Sequence, residues 1–198
     1  MNRIFLWLFL SVLYTSASAQ SSLTFNFIGN GFSHTGLGLK YTLDYSKTQV
    51  AAYGGIARGG FLTINDQTWS STNGVAGISL NVLSDSVSNG VYFYYGLSAE
   101  VATHNYTARN NSNVQYTDVA MLVGPQLGVN VRLSKRLMIN SEWGIRGGVN
   151  YGHKYHIIFN NNIFSRDFYV RENTVLIYVP TSIGLTYRFG RNRKHTSE

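Results

Sequence analysis

The 198-residue chain carries 16 Lys and Arg against 9 Asp and Glu, a formal net charge of +7, together with 14 Tyr, 11 Phe, 20 Gly and no Cys. Charged residues make up only 13% of it, about half the usual quarter, so a charged, water-facing exterior does not account for much of the surface. One compact domain suits the length, the absence of cysteine excludes a disulfide scaffold, and basic residues dispersed along the whole chain argue against a nucleic-acid partner.

Residues 1–19 form a unit of their own. Arg3 gives a basic start, Ile4 to Tyr14 is apolar, and Ala17-Ser18-Ala19 is the small-x-small pattern cut by signal peptidase. The apolar run falls short of the roughly 20 residues of a spanning helix, so a signal peptide cleaved before Gln20 is predicted. Residues 20–190 are then the folded domain, and 191–198 a basic tail.

Strands follow in order, each read from period-two alternation. Leu23 to Ile28 sets Phe25 and Phe27 against Thr24 and Asn26, and Gly29-Asn30-Gly31 breaks it. Leu37, Leu39, Tyr41, Leu43 and Tyr45 alternate with Gly38, Lys40, Thr42 and Asp44, up to a tight turn at Ser46-Lys47. In Gln49 to Phe61 glycines and alanines blur the pattern. Ala51, Tyr53, Gly55, Ala57 and Phe61 are assigned outward there, because the other choice sets Arg58 into lipid at about 2 to 4 kcal/mol at the midplane. Asn65 to Asn73 is expected to be a loop.

Ala76, Ile78, Leu80 and Val82 form the fourth apolar face, followed by a turn over Ser84 to Gly90. Val91, Phe93, Tyr95, Leu97, Ala99 and Val101 make the fifth, and Asn105 to Gln115 reads as a loop. The sixth runs from Val119 to Leu133, opposite Asp118, Gln126, Asn130 and Arg132, and Ser134-Lys135-Arg136 turns the chain. Leu137, Ile139, Trp143, Ile145 and Val149 form the seventh, and a long segment from Tyr151 to Glu172 leads to the last strand, Val175 to Phe189. Its fifteen residues hold a dry face of Val175, Ile177, Val179, Ile183, Leu185, Tyr187 and Phe189, far longer than the mode of about five or six in soluble sheets. Pro125 and Pro180 fall inside strands, where proline removes a ladder hydrogen bond, and are expected at bulges or bends.

Eight strands joined by alternately short and long links predict an all-β fold, an eight-stranded antiparallel transmembrane up-and-down β-barrel in the bacterial outer membrane with both termini periplasmic. On this register Lys40, Arg58, Glu100, Arg132, Glu142, Arg146 and Arg188 face the lumen. A barrel of eight strands is just wide enough for side chains to fill it, so these charges are expected to form a plugging network instead of an ion path.

The chain resembles the small eight-stranded outer-membrane barrels of the OmpX and OmpA-transmembrane type. The resemblance rests on the Ala17-Ser18-Ala19 signal, the alternating strands and the closing Thr186-Tyr187-Arg188-Phe189, and spans Leu23 to Phe189. It implies the barrel-insertion machinery as a partner, reading the last strand. Phe189 is followed by Gly190 and the tail, a departure from that pattern. The expected role is structural, or interaction through external loops, in a monomer embedded among outer-membrane lipid and lipopolysaccharide.

The alternatives are a lipid A-modifying enzyme and a narrow channel for ions or small solutes. Small barrels of this shape include lipid A deacylases and palmitoyltransferases that use His with Ser. Here His195-Thr196-Ser197 has the deacylase spacing but lies beyond the last strand, and His104 with Ser112 or His34 with Ser33 are the other pairings of base and nucleophile. Histidines in polar loops are ordinarily solvated, so no enzyme is expected. His153 and His156 lack further ligands nearby, and no metal or cofactor is predicted. The last long loop is the candidate contact surface, with Lys154, Tyr155, His156, Phe164, Arg166 and Phe168 offering cations to phosphates and aromatics to a partner. Alternation in the same stretch equally fits a hairpin that extends past the membrane.

Overall fold

A computed structural model describes residues 20–29, 34–59, 62–64, 67–84, 90–108, 115–160 and 163–189. The predicted signal peptide, the basic tail, Ser33, Ser112 and His195 lie outside the described residues. So do the side chains of His34, His153 and His156.

Eleven strands alternate with short connections: β1 (Gln20–Gly29), β2 (His34–Tyr45), β3 (Thr48–Gly59), β4 (Leu62–Ile64), β5 (Gln67–Leu83), β6 (Val91–Ala108), β7 (Gln115–Arg132), β8 (Leu137–Gly144), β9 (Arg146–Asn160), β10 (Ile163–Tyr178) and β11 (Thr181–Phe189). They make eight staves, because β3 with β4, β8 with β9, and β10 with β11 each run on as one. Every stave pairs antiparallel with its neighbours in sequence. Closure comes from β1 and β11, where Leu23 faces Tyr187 and Phe25 faces Leu185. Ser21 opposes Phe189 on one side and Leu43 on the other, so both ends of the barrel chain lie at the end that carries the tight Ser46-Lys47 turn.

Alternation sorts the side chains as a membrane requires. Ile56, Met121, Leu127, Ile145, Ile177 and Leu185 stand on the outside, Val175 being 81% exposed, while Asn81, Asp118, Gln126, Asn140 and Arg146 are buried within. A water-soluble barrel has the opposite arrangement. Exposed aliphatic side chains in this continuous band gain by facing acyl chains, at roughly 25 cal/mol per Å² removed from water. A closed wall in which neighbouring strands hydrogen-bond one another satisfies the backbone without water.

Two loop expectations need correction: Gln67 to Asn73 belongs to β5, and Asn105 to Ala108 belongs to β6. Of the two readings of Tyr151 to Glu172, the extended hairpin holds, with Phe159 of β9 opposite Phe164 of β10 and Tyr155 opposite Phe168. A membrane-crossing strand needs only about 9 to 11 residues, so β5, β6 and β7, at 17 or 18, have length to spare beyond the slab.

The faces of β3 are reversed from the sequence assignment. Ala51 is 1% exposed and Tyr53 points inward to Glu100, whereas Val50 and Ile56 (66% exposed) face out, and Arg58 with them. Arg58 is the penultimate residue of β3 and opposes Thr35 and Thr72. Arg58 is also the eleventh residue from Thr48 beside the short turn, and about 9 to 11 residues cross the slab, so it sits at the far rim and not at the midplane, where a long aliphatic stem can carry its charge to the headgroups. The midplane penalty that guided the assignment does not apply there.

Both prolines lie at interruptions of the ladder. The β7 ladder passes from Val123 opposite Gly147 on β9 to Gln126 opposite Gly144 on β8, skipping Pro125, and β10 gives way to β11 at Val179-Pro180. The proline carbonyls are used: Ile145 N donates to Pro125 O at 3.1 Å and Gly144 N to Pro180 O at 3.0 Å.

Candidate functional site: the lumen charge layer

Lys40 projects inward from β2, Glu100 from β6, Glu142 from β8 and Arg146 from β9. The strand positions follow from parity, since each shares its face with a buried neighbour two residues away: Thr42, Ser98, Asn140 and Gly144. Two ion pairs result. Lys40 donates to Glu142, and Arg146 Nε lies 3.5 Å from Glu100 Oε2.

Two tyrosines tie the pairs to the wall. The Tyr94 hydroxyl donates to Glu142 Oε2 at 2.7 Å and accepts from Asn140 Nδ2 at 2.9 Å and Lys40 Nζ at 3.4 Å. The Tyr53 hydroxyl donates to Glu100 Oε2 at 2.8 Å. Each tyrosine lies opposite a glycine on the next strand, Tyr94 against Gly128 and Tyr53 against Gly77. A Cβ on Gly128 would stand 2.2 Å from Tyr94 Cζ, and one on Gly77 2.6 Å from Tyr53 Cζ, so only glycine leaves these rings room to lie over the strand.

From Arg146 a chain of polar contacts descends toward the short-turn mouth. Arg146 Nη2 donates to Gln126 Oε1 at 2.9 Å, Gln126 Nε2 to Asn81 Oδ1 at 2.7 Å, Asn81 Nδ2 to Gln49 Oε1 at 2.9 Å, and Gln49 Nε2 to Asp44 Oδ1 at 3.0 Å. Asp44 Oδ2 then faces Arg188 Nη2 at 3.9 Å. Six residues from six strands are linked, so the lattice braces the wall from inside. Arg146 Nη1 also donates to the Pro125 carbonyl at 2.8 Å, which places the guanidinium over the interruption in the β7 ladder.

The lumen is filled unevenly. Between Lys40 and the short-turn mouth lies a cavity of only about 10 Å³, lined by Thr42, Asp44, Gln49, Asn130, Asn140 and Arg188 among others and about the least that one water molecule needs. On the long-loop side of the charge layer lies a cavity of about 180 Å³.

Of the seven charges assigned to the lumen from sequence, Lys40, Glu100, Glu142 and Arg146 meet in this layer. Arg188 lies near the mouth, half-buried, and Arg132, although on the inner-face parity of β7, is exposed at that mouth with its guanidinium 5.2 Å from the Tyr92 ring. Arg58 takes no part. Sequence reasoning missed Tyr53, which it turned outward, and the amide relay of Gln126, Asn81 and Gln49. Even spacing placed Gln126 and Asn81 on inner faces, but only the barrel's closure decides that they touch.

The candidate contact residues all fall on the β9–β10 hairpin, in which Lys154 opposes Tyr169, His156 opposes Asp167 and Arg166 opposes Ile157. Phe164 opposes Phe159 and Phe168 opposes Tyr155 on the same ladder. Their side chains lie outside the described residues. His104 lines the cavity from the inner face of β6, opposite Asn73 and Asp118 in register. Among the described residues no group of three His, Asp or Glu could hold a metal ion.

No protein-family model and no curated protein matches the sequence. In structure the chain is similar to Neisserial surface protein A, with a TM-score of 0.51 over 86% of this chain and 96% of that one, at 13% identity. It is equally similar to a major outer membrane protein from Thermus thermophilus, with a TM-score of 0.51 over 87% of this chain and all of that one (100%), at 14% identity. Eight staves closed into a ring, an aliphatic outer face and a charged, side-chain-filled lumen agree with these likenesses: the chain has the fold of the small eight-stranded outer-membrane β-barrels.

Proposed function

We propose that this chain is an integral outer-membrane barrel whose lumen is sealed by its own side chains, and that it acts as an envelope component or through its external hairpins, not as an enzyme or an open pore. The observation that carries this is the void of only about 10 Å³ on the short-turn side of the charge layer. Hydrated ions have no continuous path through such a space. Planar-bilayer recording tests it: the purified barrel gives no steady conductance, and a stable open level would contradict the seal.

On this proposal the signal sequence directs export, the short turns and both termini face the periplasm, and the long hairpins face out. The barrel-insertion machinery recognises the closing strand ending in Phe189. External basic side chains such as Lys154 and Arg166 meet lipopolysaccharide phosphates, for which charge-assisted hydrogen bonds are the apt chemistry. The barrel works as a monomer. Substituting His104 is then expected to leave the mass of lipid A in the producing cells unchanged, and a shift in that mass would favour catalysis.

A further inference from the structure

Closure of the barrel stops part-way up one seam. The ladder of β1 and β11 ends at Gly29 opposite Thr181, and β2 begins nearby at His34. The stave that carries β11 runs on through Val179-Pro180 into the 16 residues of β10, one edge of which pairs with β9. Among the described residues no strand pairs with its other edge. Val175 and Ile177 of this stretch, 81% and 70% exposed, are the two most exposed large apolar side chains among the described residues, as the lack of a neighbour on one side requires.

Two hollows adjoin the seam, one on each side of the wall. In the lumen, the cavity of about 180 Å³ beyond the charge layer is walled by Ile28, Ala57, Val75, Ala102 and Tyr178. On the outer face, a groove of about 540 Å³ runs among Phe27, Leu37, Trp143 and Ile183, which all point away from the lumen. Ile28, Gly29, Thr181 and Ser182 line both. One rung of mostly small residues therefore separates them.

The surroundings say what fits. Gly29 is the tenth residue of β1 and about 9 to 11 residues cross the slab, so the seam lies where the acyl chains of the far leaflet begin. Arg58, opposite Thr35 of the groove, holds a cation at that rim for a headgroup phosphate. The floor of the cavity is tied up in its own bonds, Lys40 with Glu142 and Tyr94, and the Arg146 Nη atoms with the Pro125 carbonyl and Gln126. Its unpartnered atoms, Arg146 Nε and Glu100 Oε1, are shut off from the space. Water there would wet apolar walls and gain few hydrogen bonds, whereas a chain from the adjacent leaflet covers them without leaving an apolar medium.

We propose that an acyl chain of a phosphate-bearing membrane lipid passes from the groove over the seam at Gly29 and Thr181 and ends in the lumen cavity, an inference that rests on the outer wall facing lipid and goes beyond it. A cavity of about 150 Å³ accepts benzene, so about 180 Å³ takes roughly the last seven carbons of a chain. The charge layer stops the chain and keeps the lumen blind below it.

The test is photo-crosslinking of the full barrel in phosphatidylglycerol vesicles, with the peptides read by mass spectrometry. One lipid probe carries a diazirine at the terminal carbon of a chain and a second carries it beside the headgroup. The terminal probe is expected to label Val75, Ala102 or Tyr178 in the lumen, at least fivefold more than the headgroup-side probe, which labels Phe27, Leu37 or Ile183 of the groove. Ala57→Leu narrows the cavity away from the seam and the ion pairs, and is expected to lower the lumen labels at least fivefold while the groove labels stay. The comparison of probes is made on the unaltered barrel and decides the matter even where Ala57→Leu fails to fold. Labels confined to outer-face residues, or lumen labels unchanged in a folded Ala57→Leu barrel, would overturn the proposal and leave the lipid-facing wall standing. No label on either face would overturn both.

Discussion

Tyr94 lies across Gly128 of the adjacent strand and delivers its hydroxyl hydrogen to Glu142 Oε2 at 2.7 Å. The glycine is what permits the bond, because the ring occupies the place a side chain would take. Gly128→Ala is therefore expected to lower stability by roughly 1 to 3 kcal/mol through overpacking. Urea unfolding in lipid vesicles measures it. In a Tyr94→Leu background the same substitution is expected to lose less than half as much, and equal losses in both backgrounds would show that the ring is not what excludes the methyl.

Lys40 and Glu142 are both turned into the lumen, so removing one leaves the other charge without its partner. Lys40→Met is expected to destabilise by about 3 to 5 kcal/mol, whereas Lys40→Met with Glu142→Leu loses markedly less. A double-mutant cycle in urea gives the coupling. Additive losses would mean that the two side chains do not act as a pair.

Asp44 and Arg188, by contrast, meet at 3.9 Å near the mouth with partial access to solvent. Their pairing is expected to contribute no more than about 1 kcal/mol and to weaken with salt. Asp44→Asn, which keeps an acceptor for Gln49, should move the urea midpoint only slightly, and a loss comparable to that of Lys40→Met would contradict the layered picture of the lumen.

Arg58 gives the opposite contrast to Arg146, although both are arginines on strands. Arg58→Leu is expected to change stability by no more than about 0.5 kcal/mol, since its charge stands at the rim. Arg146→Leu leaves Glu100 unpaired and uncovers the Pro125 carbonyl, and is expected to cost several-fold more. Similar effects from the two substitutions would return Arg58 to the lumen.

Period-two alternation made the wall legible: Leu127, Ile145 and Leu185 face out, and Glu142 and Arg146 face in, as their spacing in sequence demands. It failed at β3, where Ala51, Ala52, Gly54 and Gly55 give neither face a distinct polarity, and one arginine decided the parity. Arg58 misled because depth is invisible in sequence, and a charge at a strand end carries a different penalty from one at the midplane. Polar composition hid the strand character of Gln67 to Asn73, since beyond the slab both faces of a hairpin meet water and alternation is no longer required. The relay that starts at Arg146 was beyond reach for another reason. Gln126, Asn81 and Gln49 are distant along the chain, and only barrel closure and stagger bring them into line.

Trp143 tests the central claim, that the apolar faces look outward into acyl chains. With Trp7→Phe and Trp69→Phe it becomes the only tryptophan, on the outer face of β8. In vesicles of lipids brominated along the chain, its fluorescence is expected to be strongly quenched, while acrylamide in the aqueous phase has little effect. Quenching by acrylamide with no response to the brominated chains would place Trp143 in water and contradict the membrane barrel.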